Sequence, residues 1–361
     1  MIQLMGRTPL YQQLVNAGGQ MTDSLGAEEA SLFGEARREY VELLTGCGVY
    51  DLGWRGKMVA TGPDRARWLN GMITNNIRDL ALNRGNYNFL LNAQGRILGD
   101  LYVYNRGDYI LMDTAAWQVP KLKETFDKFI IMDDVEITDI AEKLTSVGVQ
   151  GPRAKEVLQD AGVKFADVEP MEVQDITWND AGLSITRMGS DVTRAYEMWL
   201  APGAAGALWE ALLGRGAKPV GRQAQEMFRV ASGVPRFGQD ITERYLPQET
   251  AQDAALNFSK GCYIGQEIVE RIRSRALLHR RLTGLVVDGP PPASGAKIQF
   301  DGKDVGEITS ATSVPAGDRD LTLALGYIRA EAQAPGTEVS VDGVPATVCE
   351  TPFKQALGIG R

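Results

Sequence analysis

A chain of 361 residues is too long for one ordinary hydrophobic core, so two or three domains are expected. Its 44% hydrophobic and 23% charged residues are typical of a soluble globular protein, and no uninterrupted apolar run is long enough to cross a bilayer. The net charge of −8 argues against a broadly basic nucleic-acid-binding surface.

Residues 1–20 carry a single basic residue, Arg7, and their apolar residues are interrupted by Pro9, Gln12 and Gln13. That is not a secretory signal, and a cytoplasmic enzyme or binding protein is expected. The three cysteines, Cys47, Cys262 and Cys349, are odd in number and far apart, which argues against a disulfide framework. With one histidine, His279, and no CxxC pair, the chain lacks the soft ligands of a closed zinc or iron–sulfur site, and no metal is expected.

The first patterned segment is Met58, Val59 and Ala60, an apolar stretch running into Gly62 and Pro63. A helix follows with Trp68, Leu69 and Met72 on one face, Pro63 fitting its first turn. Residues 101–104 and 109–112 read as short strands joined by Asn105, Arg106, Gly107 and Asp108, a hairpin signal. Pro120 then opens a helix with Leu122, Phe126, Phe129 and Ile130 at helical spacing.

The same order recurs downstream. Val147 and Val149 alternate into Gly151 and Pro152, and Val157 and Leu158 line a helix that Gly162 terminates. Residues 195–200 read as a strand, Pro202 and Gly203 as a turn, and Leu208, Trp209, Leu212 and Leu213 as a helix face. The two Gly-Pro pairs are 89 residues apart, as are Trp68 and Val157, which predicts a duplicated helix-and-strand unit.

The chemically richest segment follows: Lys260, Gly261, Cys262, Tyr263, Ile264, Gly265, Gln266 and Glu267, read KGCYIGQE. It combines a thiol, an ammonium, two glycines and a carboxylate at a loop-to-helix passage. Two readings of Cys262 stay open. It is a buried small hydrophobe, or it is a reactive thiol favoured by Lys260 and by the positive end of a helix starting near Ile264. Exposure decides between them. Between Lys260 and Arg281 there are six basic residues against two acids, which suits either an anionic partner or a solvated face.

From Leu282 onward, short strands at 285–287, 297–300, 305–308, 323–328 and 337–341 alternate with Gly, Pro and Asp turns. That pattern predicts a small antiparallel barrel.

These motifs resemble the glycine-cleavage T-protein superfamily and, within it, the YgfZ-type folate-binding proteins that support iron–sulfur enzymes, whose hallmark is KGCYxGQE. The similarity spans nearly the whole chain. Tyr50, Asp51 and Leu52; Gly62, Pro63 and Asp64; Thr74, Asn75 and Asn76; Leu90, Leu91 and Asn92; the runs 238–241 and 246–249; and Ala324, Leu325, Gly326 and Tyr327 all fall in the family's order.

The resemblance implies an α+β fold of two related helix-and-strand domains plus a C-terminal antiparallel β-barrel, arranged around a central hole that holds tetrahydrofolate. The implied boundaries are 1–50 with 141–275, 51–140, and 276–361. Glu197 resembles the family's pterin-binding carboxylate, and a solvent-facing strand position is its alternative reading. Arg229 resembles a family arginine near the ligand, with Arg222 a nearby second choice, and Tyr87 and Tyr104 are candidates to stack on the ring.

Departures from the T-protein pattern bear on activity. The turn after Asn92 reads Ala93, Gln94, Gly95, Arg96, Ile97, Leu98, Gly99 and Asp100, so Gly99 stands where one of a pair of aspartates serves one-carbon transfer, and Asp100 alone remains. Residues 187–194 replace a glycine- and threonine-rich turn, and the T-protein has no cysteine at the position of Cys262. The resemblance therefore implies a tetrahydrofolate-binding accessory protein for iron–sulfur cluster assembly or repair, linked to tRNA modification. Cys262 would be its reactive thiol, and iron–sulfur assembly or client proteins its partners. The alternative is an aminomethyltransferase with Asp100 as acid–base group. Direct RNA binding through the basic stretch is the least favoured reading.

Overall fold

A computed structural model describes residues 7–24, 27–189, 192–275 and 278–358, with only the backbone described at Ser24, Ala27 and Arg275. The fold is mixed α and β. It forms two compact units, Met1–Asn88 with Asp100–Gln225, and Phe89–Gly99 with Glu226–Arg361.

The first unit is built on two sheets. One is five-stranded, in the order Gly85–Leu91, Ile97–Asn105, Ile110–Ala115, Arg55–Thr61, Glu136–Asp139. The other is six-stranded, in the order Val173–Trp178, Ala181–Met188, Ala195–Leu200, Thr145–Gln150, Gly48–Asp51, Lys218–Pro219. The first five strands of each order correspond, which makes the internal repeat visible. In both, a strand runs through a Gly-Pro pair into a short helix, Arg65–Met72 or Ala154–Asp160, and these helices begin 89 residues apart.

The glycine of each pair has a left-handed backbone, φ +93° at Gly62 and +131° at Gly151. A side chain there would press on a carbonyl, that of Asp134 at 2.1 Å or of Gly46 at 2.3 Å. The same steric requirement in both copies explains the repeated motif. Around the six-stranded sheet, Val147, Val149, Val157, Leu158, Leu208, Trp209 and Leu212 are buried in one core, so the periodic residues read from sequence are the packed ones.

The second unit is centred on a closed six-stranded barrel, in the order Arg280–Val287, Arg319–Arg329, Lys303–Ala316, Lys297–Phe300, Glu338–Val341, Val344–Cys349. Leu285, Ile298, Val305, Ile308, Ala324, Ile328, Val341 and Val348 fill its core.

Local expectations fail in four places. Pro63 lies ahead of the helix Arg65–Met72 and its N-cap Asp64, not in the first turn. Pro202 and Gly203 begin the helix Pro202–Gly214 instead of forming a separate turn, because an N-terminal proline forfeits no intrahelical hydrogen bond. The strand Lys303–Ala316 continues well past Ile308, its Ser- and Thr-rich half entering after a register shift at Ile308/Ser310. The strand Val344–Cys349 escapes a sequence reading because Pro345 looks like a breaker. Among the described residues, no helix is long and apolar enough to cross a membrane.

Candidate functional site

The first unit buries an alternating set of charges. Lys57 and Asp113 are directly opposite on neighbouring strands, and the Lys57 ammonium lies 2.9 Å from Asp113 Oδ2. The same ammonium donates to Glu197 Oε1 at 3.1 Å, from one sheet of the unit to the other. Trp199 Nε1 donates to that oxygen as well, at 2.7 Å, and Arg55 Nε donates to Asp113 Oδ1 at 2.7 Å. Lys57 is fully buried and Glu197 is 2% exposed, so Glu197 is not a solvent-facing strand residue. Burial pushes the Glu197 carboxyl up, but Lys57 and then Arg55 outweigh it and hold the group at about 2.

A second carboxyl stands in the same unit. Tyr87 Oη donates to Asp100 Oδ2 at 2.7 Å and Gln118 Nε2 to Oδ1 at 2.7 Å, while the Asp100 amide donates back to Gln118 Oε1 at 3.1 Å. Thr114 Oγ1 donates to the Asp100 carbonyl at 2.7 Å. Asp100 is half-buried. The Tyr87 ring sits 4.9 Å from that of Tyr102, and Arg55 lies 5.5 Å over the Tyr102 ring. A continuous run of contacts thus leads from Asp100 through Tyr87, Tyr102, Arg55, Asp113 and Lys57 to Glu197.

The other expected ligand residues have different surroundings. Tyr104 is fully buried, edge-on to Trp199 at 4.8 Å, and belongs to a small core. Arg222 Nη1 donates to Glu29 Oε1 at 2.6 Å in the first unit.

Arg229 lies in the second unit and forms a dense network. Its Nε and Nη2 clasp Glu226 at 2.9 and 2.6 Å, Nη1 donates to Asp240 Oδ2 at 2.7 Å and to the Val234 carbonyl at 2.6 Å, and Nη2 also donates to Ser310 Oγ at 2.7 Å. Asp240 is wholly buried and also accepts from Thr309 Oγ1 at 2.5 Å and Ser310 Oγ at 2.6 Å.

The octapeptide leads into the helix Gln266–Arg275, two residues later than the sequence reading. Asn257 Oδ1 shapes the approach by accepting from the amides of Ser259 at 2.9 Å and Lys260 at 3.0 Å. Gly265 has φ +82°, and a Cβ there would meet the Asn92 carbonyl at 2.6 Å. Gly95, φ +71°, would meet Ile268 Cβ at 2.9 Å. Two glycines therefore let the turn after Asn92 pack on the start of this helix. Cys262 and Glu267 are exposed, and Tyr263 is buried. Lys260 is 8% exposed, its ammonium 5.1 Å over the Tyr263 ring, and burial lowers it to about 7.

The basic stretch is extensively paired. Arg280 binds Glu249 at 2.9 Å, Arg281 binds Asp253 at 2.7 Å, and Arg273 lies 3.7 Å from Glu270. Ser190 and Asp191 of the replaced turn, and the 275/276 boundary side chains, lie outside the described residues.

Sequence reasoning missed Lys57, Asp113 and Arg55. The available signal was a charge on the inward face of each of two apolar strands, at Lys57 beside Met58 and at Asp113 beside Met112.

Residues 10–260 match the GCVT N-terminal domain and residues 280–354 the glycine cleavage T-protein C-terminal barrel domain, so the chain belongs to the glycine cleavage T-protein family. Among its relatives is an aminomethyltransferase of Shouchella clausii, 28% identical, with 96% of this chain and 97% of the relative aligned. An aminomethyltransferase of Thermus thermophilus is 28% identical over 97% and 99% of the two chains. A crystal structure of glycine cleavage system aminomethyltransferase T from Bartonella henselae shares the fold, with a TM-score of 0.88, 24% identity and coverage of 96% and 98%.

These findings correct the leading expectation of an iron–sulfur accessory protein. Full-length relatives are named aminomethyltransferases, and the iron–sulfur partners and the tRNA link lose their support.

Proposed function

We propose that this protein is a tetrahydrofolate-dependent aminomethyltransferase, moving a one-carbon unit from an aminomethyl group on a lipoyl carrier to tetrahydrofolate. The observation that carries the reading is the oriented Asp100 carboxyl, held on both oxygens by Tyr87 and Gln118 in the unit that also buries Glu197. In this reading two folate nitrogens take over the methylene carbon: one displaces the carrier sulfur, which leaves as the thiol, and the other displaces the amino nitrogen, which leaves as ammonia. Asp100 handles the proton that a folate nitrogen gives up. A single carboxylate suffices because Tyr87 and Gln118 fix its direction, where Gly99 offers no second acid.

Glu197 is proposed as the pterin contact, its charge maintained inside the protein by Lys57. Tyr87 acts here by orienting Asp100, and Tyr104 by packing. Arg229 and Arg222 contribute through the carboxylates they hold. The octapeptide supports placing the chain in the cysteine-bearing YgfZ-type branch of the family, and the boundaries 1–50 with 141–275, 51–140 and 276–361 are proposed as its functional division. The test is Asp100→Asn, which keeps the hydrogen-bonded shape. We expect kcat to fall by about 10²–10⁴-fold with the thermal midpoint little changed. Undiminished turnover by this variant would refute the assignment.

A further inference from the structure

Lys57 sits in the strand Arg55–Thr61 with no exposed surface. A buried lysine needs a partner, and its cross-strand neighbour Asp113 would supply one. Asp113, however, already has Arg55 at 2.7 Å. The Lys57 ammonium instead bridges the two carboxylates, 2.9 Å from Asp113 and 3.1 Å from Glu197. Arg55 and Lys57 balance Asp113 and Glu197 in charge, and among the described residues Lys57 is the cation hydrogen-bonded to Glu197. The remaining titratable groups around Glu197 are the phenols of Tyr50, Tyr102 and Tyr104. None of these supplies a positive charge.

We propose that Lys57 is the positioning residue of the pterin site: with Trp199 it grips one oxygen of Glu197 and so fixes that carboxylate, charged and in one rotation, before folate arrives. This rests on the folate reading above. A pterin edge presents N–H donors, so an ionised carboxylate, which accepts on both oxygens, binds it more strongly than a protonated one, which turns one oxygen into a donor. In a dry site a carboxylate without a cation takes up a proton. Lys57, the cation in contact with Glu197, opposes this most strongly and Arg55 less so, and the indole N–H of Trp199 adds a second, directional constraint. Asp113 and Arg55 keep the ammonium itself in register.

The test compares three proteins: wild type, Lys57→Arg, and the double variant Lys57→Met/Asp113→Asn, which removes one charge of each sign and leaves Arg55 near Glu197. Tetrahydrofolate binding is measured anaerobically by equilibrium dialysis between about pH 5 and pH 8, a window that brackets a carboxyl raised by burial. Thermal unfolding is followed in parallel. Wild-type affinity should be flat across the window. The double variant should bind on the order of tenfold more weakly at the acid end than at the alkaline end, because loss of a charge-supported hydrogen bond is worth about that factor.

Lys57→Arg keeps the charge but replaces a point donor by a planar fork, so its profile should stay flat while its affinity falls. A double variant that folds and binds as wild type does, with a flat profile, would overturn the proposal by reducing Lys57 to the structural partner of Asp113. If the double variant fails to fold, Lys57→Arg decides, and wild-type affinity in that variant overturns the proposal. Absence of folate binding by wild type itself removes the folate reading first, and this inference with it.

Discussion

Lys260 and Cys262 are two residues apart, and the fold treats them in opposite ways. Lys260 is buried, with its ammonium lowered to about 7 by desolvation, whereas a lysine in the unfolded chain titrates near about 10.4. Between those values the unfolded chain binds more protons, so the penalty of burying this ammonium is full below about pH 7 and fades as pH rises to about 10. Lys260→Met removes that slope. Its thermal midpoint should exceed that of wild type most near about pH 6, and the gap should close toward about pH 10. A gap independent of pH would show that the buried ammonium is not the cause.

Cys262 is exposed, Cys349 is partly covered, and Cys47 is buried with its thiol pushed up to about 12 by burial and then by Glu42. A disulfide reagent added to the native protein should therefore consume a single thiol rapidly, and Cys262→Ser should abolish that phase. Under the transferase reading the same substitution leaves kcat near wild type. None of this exposure was legible in the sequence, because whether a cysteine faces solvent depends on which elements pack over it. Lys57 was illegible for a related reason: its partners Asp113 and Glu197 lie 56 and 140 residues away along the chain.

At the scale of elements, the glycines of the octapeptide separate by function. Gly265 has a left-handed backbone and lies against the Asn92 carbonyl, while a Cβ on Gly261 would meet nothing within 4 Å. Gly265→Ala should destabilise the protein by about 2 kcal/mol or more, combining backbone strain with a clash. Gly261→Ala should stay within about 0.5 kcal/mol of wild type. Chemical denaturation of both variants checks the contrast, and equal effects would contradict this packing.

The repeat was legible at this scale because one local rule produces it twice. A strand must turn sharply over a backbone carbonyl toward a helix: Gly supplies the left-handed residue, and the Pro after it stands two residues ahead of Arg65 or Ala154, where the helix begins. Pro202 was misread because proline serves turns and helix starts alike. The strand Val344–Cys349 was missed because pairing on both sides, with Glu338–Val341 and Arg280–Val287, overrides the local signal of Pro345.

Across the whole molecule, each unit has its own buried ionic centre. In the second, Arg229 neutralises Asp240 and ties the helix Arg222–Ala231 to the barrel strand at Ser310. Arg229→Ala leaves Asp240 buried and unpaired, a loss of about 3–5 kcal/mol. It should lower the unfolding midpoint, and an unchanged midpoint would show the network to be dispensable. The basic stretch behaves as a paired surface at this scale, since Arg280 and Arg281 find acids at Glu249 and Asp253 from outside it. A count along the sequence cannot register such pairing.

The family and the barrel were legible from motif order. The branch of function was not, because one thiol in a conspicuous loop outweighed an oriented carboxyl whose supports, Tyr87 and Gln118, come from other strands and turns.

The most direct measurement mixes the purified protein with tetrahydrofolate and a lipoyl carrier protein bearing an aminomethyl group, and follows methylenetetrahydrofolate and ammonia together. The expected result is the two products in equal amounts over many turnovers, lost in Asp100→Asn and retained in Cys262→Ser. Formation of neither product, in a mixture that an established aminomethyltransferase turns over, would contradict the account.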